Sequence, residues 1–210
     1  MKVENAGEDG LMKAVAAGDE EAFTLLFRRY QRAIFHFACR MTGSVEAAED
    51  LTQECFLRVL RSAKRFDPER GSLRVYLYAT ARNLTIREAQ KLSSEQAKRR
   101  LSAPMNAQGR DADDGAGVEM LDLALGPEGL LLGLEASEVV KRAVWRLPTA
   151  QREALVLVEY EELSLEETAQ VLEIDVGAAK SRVHRARENL KRLLAPYFGC
   201  EALRPRKDER

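Results

Sequence analysis

The sequence is poor in the residues that build disulfide frameworks, metal sites and membrane spans. It contains 3 cysteines and 2 histidines, and no two cysteines form a CxxC pair. Cys39, Cys55 and Cys200 are far apart, and the first two lie in apolar surroundings, so we expect buried thiols rather than disulfides or zinc ligands. No apolar run is long enough to cross a bilayer and no signal peptide is evident, so we expect a cytoplasmic protein without membrane insertion.

Strand patterns and catalytic constellations are missing as well. Alternating runs rich in Val and Ile are absent, and 32% of the residues are charged, which together with abundant Ala, Leu, Glu and Arg is typical of an all-helical protein. No nucleophile–base–acid set and no phosphate-binding glycine loop appears, and neither His36 nor His184 has a candidate metal partner. We therefore expect no catalytic residue, no metal and no cofactor.

Charge is segregated along the chain although the formal net charge is only −1. Arginine and lysine are concentrated in residues 58–100 and again in 180–192, whereas acids are concentrated in 111–128. This segregation suggests two modules that face nucleic acid, joined by an acidic segment. The middle of the chain is also rich in Gly, Ala and Asp, which is the composition of a linker.

These shifts predict an all-α fold of two small domains. We place an N-terminal helical domain at residues 1–101, a flexible acidic linker at 102–134, a C-terminal helix-turn-helix domain at 135–200 and a disordered tail at 201–210. Residues 1–10 also have the composition of a disordered end.

Residues 164–190 have the pattern of a helix-turn-helix. Ser164 and Glu167 predict a capping box at the start of one short helix, and Asp175 can cap the next helix after a turn at 173–175. The second helix has a basic outer face and an apolar stripe consisting of Val176, Ala179, Val183, Ala186, Leu190 and Leu193. Because cations gain nothing from the dipole near a helix N-terminus, their position there favours DNA binding over an ordinary solvated face.

Three further helices are predicted in the N-terminal domain, over residues 20–41, 44–64 and 72–99. Gly43 ends the first of them, and Ser44 and Ser72 are the expected N-caps of the other two. Pro68 and Gly71 predict a loop before the last helix.

Two of these helices have faces that core packing does not explain. The helix at 44–64 has a core stripe of Ala48, Leu51, Thr52, Cys55 and Val59, and its opposite stripe includes Leu57 among acidic and amide side chains. That stripe is either a protein-docking patch or a solvated face. In the helix at 72–99 we expect an inward stripe of Leu73, Leu77, Thr80 and Leu84, an outward stripe of Arg74, Tyr78 and Arg82, and a flank of Tyr76, Asn83 and Arg87. Arginine interleaved with aromatic and amide side chains suits single-stranded nucleic acid, although aromatic residues on an Arg-rich helix can also be core.

Several motifs occur in the order and spacing of a known family. These are residues 50–59 (DLTQECFLRV), 71–84 (GSLRVYLYATARNL), Leu147-Pro148, 152–157 (REALVL) and 177–187 (GAAKSRVHRAR). Together they resemble the core-binding helix, the promoter-melting helix and the C-terminal DNA-binding domain of bacterial sigma factors. The spacing is similar to that of the smallest, extracytoplasmic-function group.

The resemblance implies three sets of site residues. Docking on the clamp helices of the largest subunit of core RNA polymerase would use Asp50, Gln53, Glu54, Leu57 and Arg61. Capture of the melted −10 strand, with one base flipped from the stack, would use Lys64, Arg65, Phe66, Ser72, Arg74, Tyr76, Arg82 and Asn83. Reading of the −35 duplex would use Gly177, Ala178, Lys180, Ser181, Arg182, His184 and Arg185, the first two by letting the helix N-terminus approach a phosphate.

The implied partners are core RNA polymerase and promoter DNA, with an anti-sigma factor as a partner that is common in this group. Tyr76 stands where many members have Trp, Ala178 where many have Thr and Arg87 where many have Asp, and these differences bear on the promoter sequence. Two other hypotheses fit the helical pattern: an autonomous helix-turn-helix regulator, and a helical interaction protein whose basic faces only solubilise it. A ligand sensor would need an apolar pocket in the N-terminal domain, whereas that domain has a basic and aromatic surface, so the sigma factor is favoured.

Overall fold

The computed structural model describes residues 7–102 and 130–202, and all regular elements within these ranges are helical. The predicted all-α fold is therefore confirmed for this part of the chain. The α-helices are α1 (Glu8–Ala16), α2 (Glu20–Thr42), α3 (Val45–Ser62), α4 (Leu73–Ser102), α5 (Leu130–Trp145), α6 (Thr149–Leu155), α7 (Leu165–Leu172) and α8 (Val176–Ala202). They belong to two compact units, Met1–Met120 and Leu121–Arg210.

The helix ends in the N-terminal unit follow local capping signals. Asp19 accepts a hydrogen bond from the amide of Ala22 at 3.0 Å, and Gly43 ends α2 with a φ of 71°, which glycine adopts without steric cost. Ser44 caps α3 in the same way, and Ser72 accepts from the amide of Val75 at 3.3 Å at the start of α4. Between α3 and α4 the chain makes two short 3₁₀ turns, Ala63–Arg65 and Pro68–Arg70.

The core of the N-terminal unit lies between α2, α3 and α4, which contact one another, with α1 packed against α2. Its largest fully buried side chains include Phe37 of α2, Phe56 of α3 and Leu77 of α4. Cys39 and Cys55 are buried free thiols, as predicted, and burial raises the pKa of Cys55 to about 12. The side chain of Cys200 lies outside the described residues.

The C-terminal unit is built around α8, which contacts α5, α6 and α7. Leu155 and Val171 are buried against this helix bundle, together with Val183 of α8 itself. A five-residue π-helical turn, Val156–Tyr160, follows α6, and the amide of Glu161 donates to the carbonyl of Val156 at 3.1 Å. The chain then enters α7 and α8, which form the helix-turn-helix.

The structure differs from the sequence prediction at three chain segments. Helix α1 starts at Glu8, inside the predicted disordered end, because Leu11, Met12 and Val15 are buried against the unit. Helix α5 starts at Leu130, inside the predicted linker, and α8 continues to Ala202. The predicted linker from 103 to 129 and the tail from 203 to 210 lie outside the described residues. Among the described helices, none is long and apolar enough to cross a membrane.

Candidate functional site

Helix α3 presents one polar face to solvent and buries the other. Ala48, Leu51, Thr52, Cys55 and Val59 are buried, as predicted, while Asp50, Gln53 and Arg61 are exposed. Glu54 pairs with Arg58 at 2.6 Å, and this hydrogen bond holds the pKa of the Glu54 carboxyl below its usual value. The outward face of α3 is therefore a polar surface that is accessible to a partner.

Leucine is exposed at two positions of α3. Leu57 is 44% exposed, as predicted, and Leu60, which was not part of the predicted stripe, is 41% exposed. Leu60 lies three residues after Leu57 and seven after the exposed Gln53, so helical periodicity places it at the edge of the outward face. Two exposed leucines on a polar helix face are typical of a protein-binding surface.

The turn between α3 and α4 places cations beside an aromatic pair. Lys64 and Arg65 are exposed in the first 3₁₀ turn, and Phe66 follows them half-buried. The ring of Phe66 lies edge-to-face with that of Tyr76, with 5.4 Å between the ring centroids. The hydroxyl of Tyr76 lies 2.5 Å from Oγ of Ser62 at the end of α3. The structure thus brings Phe66 and Tyr76 together, while Ser72 remains at the N-cap of α4.

The outward stripe predicted for α4 is only partly correct. Tyr78 is 2% exposed and packs edge-to-face on Phe37 of α2, so its predicted outward position is wrong. Arg74 and Arg82 are half-buried and have contacts inside the unit, whereas Asn83 and Arg87 are exposed. Because α4 packs against both α2 and α3, its buried arc is wider than the single stripe expected for a surface helix.

The predicted capping geometry of the helix-turn-helix is present. Ser164 accepts from the amide of Glu167 at 3.1 Å, and the Glu167 carboxylate accepts from the amide of Ser164 at 3.0 Å, which completes the capping box. The turn passes through Glu173 with a φ of 56°. Asp175 caps α8 by accepting from the amide of Ala178 at 2.9 Å.

The apolar stripe of α8 is shorter than predicted. Ala179, Val183 and Ala186 are buried, but Val176, the first residue of α8, is 41% exposed. Leu190 and Leu193 are half-buried, and Leu194 is buried instead. The predicted burial of Val176 is therefore wrong.

The outer face of α8 carries the residues predicted to read duplex DNA. Lys180, His184 and Arg185 are exposed, and Ser181 and Arg182 are half-buried. Arg187, outside the predicted set, forms an ion pair with Glu159 of the π-helical turn. Lys180 and Arg185 therefore face solvent, while Arg187 on the same helix is paired within the unit.

Gly177 lies close to the cap of α8. A Cβ atom at this position would lie 3.0 Å from Oδ1 of Asp175, which is the oxygen that caps Ala178. Glycine here leaves room for the cap. Since the amide of Ala178 is engaged by Asp175, it is not available to donate to a phosphate.

A buried arginine in the C-terminal unit was not anticipated from the sequence. Arg152 is 8% exposed, donates to the carbonyl of Trp145 at 2.8 Å, and lies 4.9 Å from the centroid of the Trp145 ring. Burial lowers the pKa of Arg152. The contact ties the end of α5 to α6. Among the described residues, no group of three or more His, Cys, Asp or Glu could hold a metal ion.

The two units match two models of one protein family. Residues 26–95 match Sigma-70 region 2, and residues 137–190 match Sigma-70 region 4. The ECF RNA polymerase sigma factor SigW of Bacillus subtilis is 33% identical over 190 residues, which cover 87% of this chain and 94% of that protein. The chain belongs to the ECF sigma factors. As an RNA polymerase sigma factor of this group, it is also 29% identical over 189 residues to the ECF RNA polymerase sigma-E factor of Escherichia coli K12, which covers 90% of this chain and 94% of that protein.

Solved sigma factor structures have the same fold. The sigma factor RpoE of Bartonella quintana, solved with the anti-sigma factor NepR, aligns with a TM-score of 0.61 and 25% identity over 82% of this chain and 96% of that one. CnrH, solved with the cytosolic domain of CnrY, aligns with a TM-score of 0.65 and 24% identity over 90% of this chain and 98% of that one. The matched models place α3 and α4 of this sigma factor in region 2 and α7 and α8 in region 4.

Proposed function

We propose that this sigma factor uses three separate surfaces in promoter-specific initiation. The outward face of α3 binds core RNA polymerase, the turn before α4 together with α4 captures the melted −10 strand, and the outer face of α8 reads the −35 duplex. One observation carries this assignment: each surface includes exposed side chains on, or directly beside, a helix whose opposite side is packed into the core of its unit. Core packing does not explain why basic, aromatic and apolar side chains occur at these surface positions. Binding to a partner explains both their exposure and their chemical types.

The polymerase-binding surface consists of Asp50, Gln53, Glu54, Leu57 and Arg61. Leu57 supplies apolar area, and we add Leu60 because it is exposed to nearly the same extent. The polar side chains around the two leucines give the interface its register, as in other interfaces with an apolar centre and a polar rim. The half-buried pair Glu54–Arg58 orders part of this rim.

The −10 surface consists of Lys64, Arg65, Phe66, Ser72, Arg74, Tyr76, Arg82 and Asn83. The exposed cations Lys64 and Arg65 suit the phosphates of a single strand, and the Phe66–Tyr76 pair offers aromatic faces for an unstacked base. Stacking of this kind contributes roughly 1–3 kcal/mol per base, which offsets the few kcal/mol that flipping a base costs. The exposed amide of Asn83 can read a base edge.

The −35 surface consists of Gly177, Ala178, Lys180, Ser181, Arg182, His184 and Arg185. Arg185 and Lys180 are exposed on the outer face of α8, where a major groove would receive them. Gly177 and Ala178 allow close approach of the backbone to a phosphate, but Asp175 accepts the amide hydrogen of Ala178. Ala178 therefore allows close approach because its side chain is small, but its amide does not donate a hydrogen bond to the phosphate.

Three broader assignments accompany this function. The chain itself catalyses no reaction, since RNA synthesis belongs to the polymerase, and it acts in the cytoplasm, where polymerase and chromosome are found. The proposed domain limits are 1–101 and 130–200, since α5 begins at Leu130, five residues before the start of the C-terminal domain expected from the sequence. An anti-sigma factor is a further partner, and the support is that RpoE of Bartonella quintana was solved with the anti-sigma factor NepR.

The experiment is reconstitution of the purified chain with bacterial core RNA polymerase, followed by run-off transcription on genomic promoter fragments. We expect a stable complex and new promoter-specific transcripts. Asp50→Ala combined with Gln53→Ala should weaken the complex without altering helicity. The matched control, Glu20→Ala with Gln90→Ala, removes one exposed carboxylate and one exposed amide from other helices of the same unit and should bind normally.

Two results would contradict these assignments. Normal co-purification of the Asp50/Gln53 double variant with polymerase would show that the outward face of α3 is not the polymerase-binding surface. Absence of any polymerase complex, together with tight duplex binding by the chain alone, would favour an autonomous helix-turn-helix regulator.

A further inference from the structure

A chain of two hydrogen bonds fixes Tyr76 to the end of α3. Oγ of Ser62 lies 2.5 Å from the carbonyl oxygen of Arg58 and 2.5 Å from the hydroxyl of Tyr76. A carbonyl oxygen only accepts, so the single hydroxyl hydrogen of Ser62 goes to Arg58. Tyr76 must then donate its own hydrogen to Ser62, which defines the direction of the whole chain.

The ring of Tyr76 is held at a second point by Phe66. The two rings are 5.4 Å apart between centroids and inclined at 63°, an edge-to-face arrangement that aromatic pairs prefer. Phe66 lies just after the 3₁₀ turn Ala63–Arg65, and Tyr76 lies in the first turn of α4. The hydrogen bond to Ser62 therefore orients one ring, and that ring orients the other.

We propose that Ser62 is a positioning residue for capture of the −10 strand, a role that rests on the proposed function of the Phe66–Tyr76 surface. Ser62 holds the Tyr76 ring, and through it Phe66, in the orientation that receives an unpaired base. Without this bond the ring would have to be ordered when the base arrives, and ordering side chains at that moment weakens binding.

The anchor lies on the helix that carries the polymerase-binding surface. Ser62 is the last residue of α3, and Arg58, whose carbonyl accepts from Ser62, pairs through its side chain with Glu54. The hydrogen bond thus fixes Tyr76 of α4 relative to the end of α3, and Phe66 of the intervening turn packs on it. When α3 is docked on polymerase, Tyr76 is placed with it.

The test measures promoter opening by the holoenzyme formed with Ser62→Ala, Tyr76→Phe and the double variant. Each change removes the same Ser62–Tyr76 hydrogen bond, so we expect all three to slow opening by about five- to tenfold, with no further loss in the double variant. Opening is followed by permanganate reactivity of the −10 thymines, and closed-complex affinity is measured separately on the same duplex. Affinity for the duplex should stay within about twofold, because no base is unpaired at that stage.

Two controls separate positioning from general stability. Ser62→Thr keeps the hydroxyl and should restore opening. Ser94→Ala removes another helix serine whose Oγ donates to a backbone carbonyl, that of Lys91 at 2.7 Å, and should open promoters normally. Circular dichroism of Ser62→Ala at the assay temperature should match that of Ser94→Ala, since a loss of opening caused by unfolding would be accompanied by a loss of helicity.

The results also distinguish this role from the surface on which it depends. If Phe66→Ala and Tyr76→Ala impair opening while Ser62→Ala and Tyr76→Phe do not, the proposed −10 surface is supported and the positioning role of Ser62 is refuted. Additive losses in the double variant would likewise refute it. If Phe66→Ala and Tyr76→Ala leave opening unchanged, the proposed −10 surface and the role of Ser62 both fail.

Discussion

The two helices proposed to contact DNA, α4 and α8, hold their functional side chains in different ways. On α4, Tyr76 is bonded to Ser62 and packed on Phe66, and Arg74 and Arg82 are half-buried with contacts inside the unit. On α8, Lys180 and Arg185 are exposed around a backbone that is itself fixed by the Asp175 cap. A pocket for one extruded base has to be preorganised, whereas side chains that enter a major groove can be ordered by the bases they bind.

The largest effect that distinguishes the two helices should come from the buried aromatic of α4. Tyr78→Ala removes a ring that is 2% exposed and packed on Phe37, and we expect a loss of about 3–5 kcal/mol in the free energy of unfolding. Circular dichroism should show this loss, while the fluorescence of Trp145, the single tryptophan, reports the C-terminal unit and should change little. Asn83→Ala, on the exposed flank of the same helix, is the control and should be nearly neutral. An unfolding curve for Tyr78→Ala that matches the control would mean that Tyr78 is not part of the core.

The next effect concerns recognition on α8 and leaves stability unchanged. Arg185→Ala should weaken holoenzyme binding to the −35 element by about 1–3 kcal/mol and relax the base preference there, as expected for one base-reading contact. Arg187→Ala is the matched control on the same helix, because Arg187 is paired with Glu159. It should weaken binding less, and by a similar factor for all −35 sequences. Competition assays with −35 variants measure both, and an unchanged preference in Arg185→Ala would exclude Arg185 from base reading.

The sequence predicted those parts of the structure that depend on neighbouring residues. The caps formed by Ser44, Ser72 and Asp175, and the capping box of α7, each join residues three positions apart, so their patterns are visible in a linear sequence. The faces of α3 were also predicted, because helical periodicity separates its buried and exposed stripes.

What the sequence did not predict depends on which elements meet in three dimensions. The burial of Tyr78 follows from α4 packing on two helices, and the bond between Ser62 and Tyr76 joins residues 14 positions apart. Helix α1 was missed because a helix of 9 residues is stable only when docked, here with a hydrogen bond between Glu8 and Tyr30. The assignment of the binding residues remains a prediction, since it concerns partners and not the chain alone.

The two units also differ in the residues that adopt left-handed backbone angles at their turns, and this difference predicts a smaller effect. In the described part of the N-terminal unit the residues with positive φ are glycines, whereas Glu162 and Glu173 adopt such angles in the C-terminal unit. A left-handed conformation costs a residue with a Cβ roughly 1–2 kcal/mol, and replacement by glycine removes this cost. Glycine also has more conformational freedom in the unfolded state, which cancels part of the gain in stability. Glu173→Gly should therefore stabilise the C-terminal unit by about 0.5–1 kcal/mol in urea unfolding followed by Trp145 fluorescence. Glu173→Ala keeps the Cβ and should give no such gain, and equal stabilities of the two variants would argue against strain at this turn.

The last effect is a dependence on alkaline pH that the N-terminal unit owes to Cys55. Burial raises the pKa of this thiol from 9.0 to about 12, so the folded state favours the protonated form. The contribution of Cys55 to stability is then complete below pH 9 and is lost progressively as the pH rises from 9 towards 12, because the unfolded thiol ionises first. Cys55→Ala lowers stability at neutral pH through lost packing, but it should make stability fall less steeply between about pH 9 and 10.5 in urea titrations followed by circular dichroism. If stability falls equally steeply with pH in the two proteins, the pKa of the Cys55 thiol does not change on folding. The alkaline sensitivity of this unit would then arise from other groups such as Tyr30, whose pKa burial also raises.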